Sequence, residues 1–339
     1  MTASPGPATI RDVARDAGVS VATVSRVLSG SRPTGQAVAE RVLESSRRLG
    51  FEVNQVARAL RTHVTDTVGV VVPDIMNPFF PALLQAASHH LRTAGLGVLF
   101  VDAQGDPAIE AAAVQLLLAR RVDGLLISPC DRRASLATVE AAAARVPLVQ
   151  IDRRVTGELA HVGVDQDQAM RQVVDHLAAR GGRHFAYLGS DDRISTSFER
   201  TRAFRRHVRR HDGEGAGRCL TREFSTAWGT EGGAALLRDH PEVDAVVCGN
   251  DEIAYGFLLA CENARRRVPE DVAVLGFDDT LLARIARPAI TSVRQPVEEI
   301  ARRAVEELTR VRGGAVQQSV TVEPQLVVRA STAGPRPQH

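Results

Sequence analysis

From Thr67 onward the chain repeats one pattern, a short apolar run followed by a stretch with helical spacing. The runs are VGVVVP (68–73), GVLFVD (97–102), DGLLIS (123–128), PLVQID (147–152), HFAYLG (184–189), DAVVCGN (244–250) and AVLGFDD (273–279). Apolar runs this short, bounded by Gly, Pro or Asp, read as strands buried on both faces, as in a parallel sheet. Segments 107–120, 166–180 and 251–263 between them read as helices. Strand and helix in alternation build a doubly wound α/β sheet. Over roughly 260 residues the pattern suggests two such sheets, with ligand bound at the strands' carboxyl ends between them. Residues 292–308, SVRQPVEEIARRAVEEL, read as a strand and then a Pro-started amphipathic helix.

The first sixty residues follow another rule. In ATIRDVARDAGVSVATVSRVLSG, Thr9 and Asp12 resemble a capping box with Asp in place of Glu. Ile10, Val13, Ala14 and Ala17 then fall on one helical face. Gly18 permits a left-handed turn, and Ser20 suits the cap of a second helix. Val24, Val27 and Leu28 give that helix its buried side, leaving Val21, Ala22, Ser25 and Arg26 toward solvent. A third helix, 36–49, offers Val38, Val42, Leu43 and Leu49 to close a three-helix core. Two short helices joined by a tight Gly turn form a helix-turn-helix, whose second helix enters the DNA major groove. Thr9, Ser20, Thr23, Ser25 and Arg26 are then expected to face phosphates and base edges.

Charge agrees. Residues 1–62 hold nine Arg against five Asp and Glu, a net +4, while the whole chain of 339 residues carries +2 and contains no Lys. A head more basic than its body points to a polyanionic partner. No run of eighteen apolar residues is present, and the first residues lack a basic segment followed by an apolar one. A cytoplasmic protein with no membrane contact is expected. The four Cys lack C-x-x-C spacing and read as small buried hydrophobes, so no metal or cofactor is expected. No phosphate-cradling glycine loop, G-x-S-x-G or H-E-x-x-H is found, which argues against an enzyme.

The stretch beginning at Ala8, with V-S-x-x-T-V-S-R-V-L at its centre, resembles the N-terminus of the lactose/galactose-repressor family of bacterial transcription regulators. The likeness continues over about residues 8–331. It implies that Val21 and Ala22 are the variable base-reading pair, and that Arg26 contacts a base or phosphate nearby, as its fork suits guanine. It makes N-x-x-A-x-x-L at Asn54, Ala57 and Leu60 a hinge helix. Paired with its copy in the minor groove, that helix would wedge Leu60 between central base pairs. The family pattern is broken at Thr34–Ala39, where a helix cap and a phosphate-contacting Arg are missing, and at Val53, where Pro is usual.

For the body the resemblance implies two lobes of the periplasmic sugar-binding-protein type, with three crossings near 163, 291 and 323. The expected organisation is a helix-turn-helix domain at 1–50, hinge and linker at 51–66, an effector-binding and dimerisation domain at 67–331 and a tail at 332–339. The first lobe would take 67–163 and 292–322, the second 164–291 and 323–331. By the same resemblance Phe79 and Phe80 stack on the effector, Arg200 binds it, Phe224 closes the pocket, and Asn250 and Asp278 hydrogen-bond its hydroxyls. Thr196 and Asp152 are further strand-end candidates. Aromatic faces with Asp, Asn and Arg suit a sugar or nucleoside. The resulting expectation is a homodimeric repressor on a pseudo-palindromic operator, controlled by that small molecule. A solute-binding protein of a sugar transporter, a sugar-acting enzyme, and a regulator controlled by a protein co-effector are the competing readings.

Overall fold

The computed structural model describes residues 8–29, 35–51, 64–211 and 218–333. They fall into two compact units that divide between Thr65 and Asp66.

The first unit holds three helices, α1 (Ile10–Asp16), α2 (Val21–Ser29) and α3 (Gln36–Leu49). The Asp12 carboxylate accepts from the Thr9 backbone N–H at 3.0 Å and from its hydroxyl at 2.6 Å, closing the start of α1. Gly18 takes φ +66°, a left-handed value that other residues resist, and turns the chain. Ser20 Oγ then accepts from the Thr23 N–H at 3.1 Å, the cap expected for α2. Val13, Ala14, Ala17, Val24 and Val42 are buried together, with Val27, Leu28 and Leu49 packed against them. Leu43 is a correction, being 42% exposed. The inward place on α3 belongs to Ser45 instead, whose hydroxyl reaches the Val13 carbonyl and the Asp16 carboxylate. A satisfied hydroxyl tolerates burial, so apolarity alone misplaced the face.

The second unit contains two sheets. The first is formed by β1 (Thr67–Val72), β2 (Gly97–Asp102), β3 (Gly124–Ile127), β4 (Leu148–Ile151), β5 (His161–Val164) and, late in the chain, β11 (Val320–Val322). All its neighbours are parallel, in the order β11-β5-β4-β3-β1-β2. The second comprises β6 (Phe185–Ser190), β7 (Arg218–Arg222), β8 (Ala245–Cys248), β9 (Ala273–Asp278), β10 (Thr291–Arg294) and β12 (Gln325–Val327). Its order is β12-β10-β9-β8-β6-β7, and only the β10–β12 pair is antiparallel.

Helices cover both faces of each sheet, which is why most of the inner strands are apolar. On the first sheet α4 (Phe79–Thr93) and α12 (Val297–Arg312) pack on one side, α5 (Pro107–Ala119) and α6 (Leu136–Ala143) on the other. On the second, α7 (Gln166–Ala179) and α8 (Ser195–Val208) face α9 (Thr226–Asp239), α10 (Asp251–Asn263) and α11 (Leu281–Ile285) across the sheet.

The chain crosses between lobes after β5, after β10 and between β11 and β12. The middle crossing therefore corrects the expectation. Strand 291–294 belongs to the second lobe, since Val293 registers with Phe277 of β9 and Leu326 of β12. The break comes only at Pro296, which caps α12. The tail boundary is also corrected. Ser331 and Thr332 are buried, and Ser331 Oγ donates to the Val274 carbonyl at 2.6 Å. Val53, Asn54, Ala57 and Leu60 lie outside the described residues. No described helix is long and apolar enough to cross a membrane.

Candidate functional site

On the head, the first turn of α2 presents Val21 and Ala22 to solvent. Arg26 is exposed, its Nε donating to the Ala22 carbonyl at 3.2 Å and Nη2 to the Thr23 hydroxyl at 3.4 Å, so the guanidinium lies along that turn. Thr23 and Ser25 are half-buried beside it, and Thr9 is exposed with its hydroxyl directed to Asp12. Helix α3 starts at Gly35 with no side-chain cap, as the missing cap in the sequence implied.

In the body, candidate residues gather where strands of the two sheets end. Asp152 follows β4 in a left-handed conformation, φ +62°. Burial pushes its carboxyl up to about 6, against the pull of the Arg153 and Arg200 guanidiniums. Arg153 is itself buried, 4.0 Å from the Asp152 carboxylate, with its guanidinium 5.2 Å from the centroid of the Phe80 ring. Phe80 is thus a core residue whose ring carries an arginine, and Phe79 meets it edge-on at 5.2 Å.

Arg200 on α8 is buried from the second lobe's side. Its Nε donates to Gln166 Oε1 at 2.8 Å and Nη1 to the Gly249 carbonyl at 2.7 Å, over the Phe277 ring at 3.5 Å. Both its acceptors are neutral. Thr196 is buried one turn earlier on α8. Phe224 packs so close to Gly249 that a side chain there would lie 3.3 Å from its ring.

Asp278 ends β9 and accepts from Gln295 Nε2 at 2.7 Å. Burial raises its carboxyl above the usual range, opposed by Arg200, Gln295 and Arg153. Phe79, Asp278, Gln295, Leu281 and Val297 line a cavity of 510 Å³ between the lobes, a size common for small-molecule sites.

Asn250 is committed differently. Its Oδ1 caps α10 by accepting from the Ile253 N–H at 2.9 Å, which leaves the amide nitrogen, 3.3 Å from Glu252, as the polar atom it can offer. Its neighbour Asp251 is structural. Its carboxylate takes the Thr280 N–H and hydroxyl and the Ser292 hydroxyl, and burial followed by the nearby Asp278 pushes it up to about 8.

Three residues escaped the sequence reading. Arg153 Nε, Ser128 Oγ and Gln295 Oε1 are buried and have no hydrogen-bond partner, as does Asp152 Oδ1. Ser128 follows β3, and Arg153 and Gln295 follow the ends of β4 and β10. Their only sequence signal was position within two residues of a strand's end. A buried polar atom without a partner costs about 1–3 kcal/mol, and with Ser190 Oγ at the end of β6 five such atoms stand at strand ends of the two sheets.

Comparison with known proteins agrees with both halves. The model of bacterial regulatory proteins of the lacI family matches residues 9–54, and that of a periplasmic binding protein-like domain matches 174–332. The HTH-type transcriptional regulator GntR of Pseudomonas aeruginosa is 35% identical over 315 residues, covering 92% of each chain. The ribose operon repressor of Halalkalibacterium halodurans is 30% identical over 292 residues, 86% of each. The Lac repressor dimer bound to operator and the anti-inducer ONPF superposes with a TM-score of 0.88 at 25% identity, covering 97% of this chain and 100% of that one. A transcriptional regulator CelR–cellobiose complex gives 0.73 at 27% identity, covering 96% and 99%. A helix-turn-helix head on a two-lobed ligand-binding body, with relatives along nearly its full length, places the chain in the lacI family of bacterial regulatory proteins, as a DNA-binding regulator of transcription and not an enzyme.

Proposed function

We propose that this regulator is a cytoplasmic homodimeric repressor whose grip on a pseudo-palindromic operator is set by a polyhydroxylated small molecule, a sugar or nucleoside, held between the lobes. The observation that carries the effector reading is the set of unpartnered buried atoms. Asp152 Oδ1 accepts, Arg153 Nε donates, and Ser128 Oγ and Gln295 Oε1 complete a mixed array that suits hydroxyl groups, each of which both donates and accepts. The solved relative that holds cellobiose supports the same class. In each head Val21, Ala22 and Arg26 read one half-site, with Thr9, Ser20, Thr23 and Ser25 near the phosphates. Leu60, with Asn54 and Ala57, acts at the hinge.

Dimerisation is supported by exposed apolar side chains on both lobes. Leu99 and Phe100 lie on the edge strand β2, and Leu281 and Ile285 on α11. Apolar edges left open invite association, and a second copy covers them.

The test is a thermal-shift panel of neutral sugars and nucleosides on the full chain. One member should raise the melting temperature with concentration, because ligand binds the folded state by mass action. The Arg153→Met variant should lose that response. A panel with no response, or a response that survives in this variant, overturns the effector assignment.

A further inference from the structure

Two loops of the first lobe reach the corner between β6 and α8 of the second. After β3, Asp131 Oδ1 accepts from the backbone N–H groups of Arg133 (2.8 Å) and Ala134 (2.9 Å), and Ser135 Oγ accepts from that of Asp131 (3.2 Å). This closed turn projects Arg132. Its N–H donates to the Arg193 carbonyl at 2.8 Å, its Nε donates to the Asp192 carbonyl at 2.9 Å, and its guanidinium lies 4.0 Å from the centroid of the Phe198 ring. After β4, the Arg154 N–H donates to Ser195 Oγ at 3.0 Å and its guanidinium pairs with Glu199 at 2.8 Å. Every contact lands within 192–199, the segment that opens the helix carrying Thr196 and Arg200. None of them uses the unpartnered atoms of the cleft.

We infer that Arg132 and Arg154 are positioning residues, a latch that seats the first turn of α8 against the first lobe before any ligand arrives. Arg132 carries most of it, since its side chain bonds the Asp192 carbonyl and rests its charge on an aromatic face, beside a backbone bond to the Arg193 carbonyl that a side-chain substitution leaves in place. The Arg154–Glu199 pair is partly exposed and contributes less. A corner ordered in advance removes part of the ordering cost that a ligand would otherwise meet. That consequence rests on the cleft being the effector site, whereas the order of the corner does not.

Hydrogen exchange of the full chain without added ligand tests the latch. In Arg132→Ala, peptides spanning 128–135 and 190–200 should exchange about tenfold faster, while those of β8 and β9 stay at the wild-type rate. Glu199→Gln should give about a twofold change in the same peptides, and the swapped pair Arg154→Glu with Glu199→Arg should restore it. Wild-type exchange at 190–200 in Arg132→Ala overturns the latch. So does equal acceleration in β8 and β9, which is loss of global stability. Should Arg132→Ala fail to fold, Arg132→Lys keeps the charge and loses the Nε bond, and the same peptides decide. A latch that holds while no sugar or nucleoside shifts the melting temperature counts against the effector reading alone.

Discussion

Arg200 donates through Nη1 to the Gly249 carbonyl at 2.7 Å, joining the helix after β6 to the strand end that leads into α10. Its Nε is held by Gln166 at the start of α7. One guanidinium thus ties three segments of the second lobe at the cleft wall without using a carboxylate. Arg200→Met keeps an apolar stem over Phe277 but strands the Gln166 and Gly249 oxygens in the interior. The body should lose about 3 kcal/mol in chemical denaturation, given about 1–3 kcal/mol for each buried acceptor left unmade. With its cation gone, the carboxyls of Asp152 and Asp278 should titrate higher still, readable by carboxyl NMR. A loss below about 0.5 kcal/mol contradicts the tie.

His161 sits under the same strand ends, its Nε2 3.0 Å from the Asp152 carbonyl. Burial pushes its ring down from 6.5 to about 4, so it is neutral in the fold and protonates more readily in the unfolded chain. The stability it contributes is present above pH 6.5 and lost as pH falls through about 4, amounting to about 3 kcal/mol over the window. Thermal unfolding between pH 7 and 4.5 should weaken more in the wild type than in His161→Gln, where no proton binds. Parallel pH profiles for the two proteins would remove His161 as the source.

On the head, Ser20→Ala removes the oxygen that accepts from Thr23 and should cost the three-helix unit about 1 kcal/mol. Arg26→Gln should act on DNA instead, lowering affinity for a selected operator by about tenfold and relaxing preference at one base pair. Gel shifts at several salt concentrations separate the two. Wild-type binding should fall steeply with salt, because an Arg-rich head releases counterions from phosphate. Salt-independent binding would leave the head without its phosphate contacts.

Much of the architecture was legible along the chain. The seven apolar runs all became strands, and Ser20, Gly18 and Pro296 stand where caps and turns were expected, because caps, turns and strand runs are set by neighbours a few residues apart. Three of the candidate residues, Asp152 of the first lobe and Arg200 and Asp278 of the second, do come together across one cleft, where each shifts or balances the others' charge. Strands β5, β7, β11 and β12 escaped notice. HVGV is opened by His and interrupted by Gly, RCLTR is an edge strand with half-exposed and exposed positions, and VTV and QLV are three residues each, so none has the apolar run that marked the seven.

Periodicity along the sequence was enough to decide the kind of element, the two-part plan and the exposed turn of α2, since each depends on residues within a turn or two of one another. Only the tertiary structure decided that Arg153 lies on Phe80, that β10 joins the second sheet, and that Gly229 and Gly256 let α9 and α10 approach until an added methyl would meet backbone at 2.3 and 2.1 Å. Such meetings join residues far apart in the chain, and which side chain faces which is settled by close packing and by the partner each buried polar group finds. Neither quantity is written in the local pattern of apolar and polar residues.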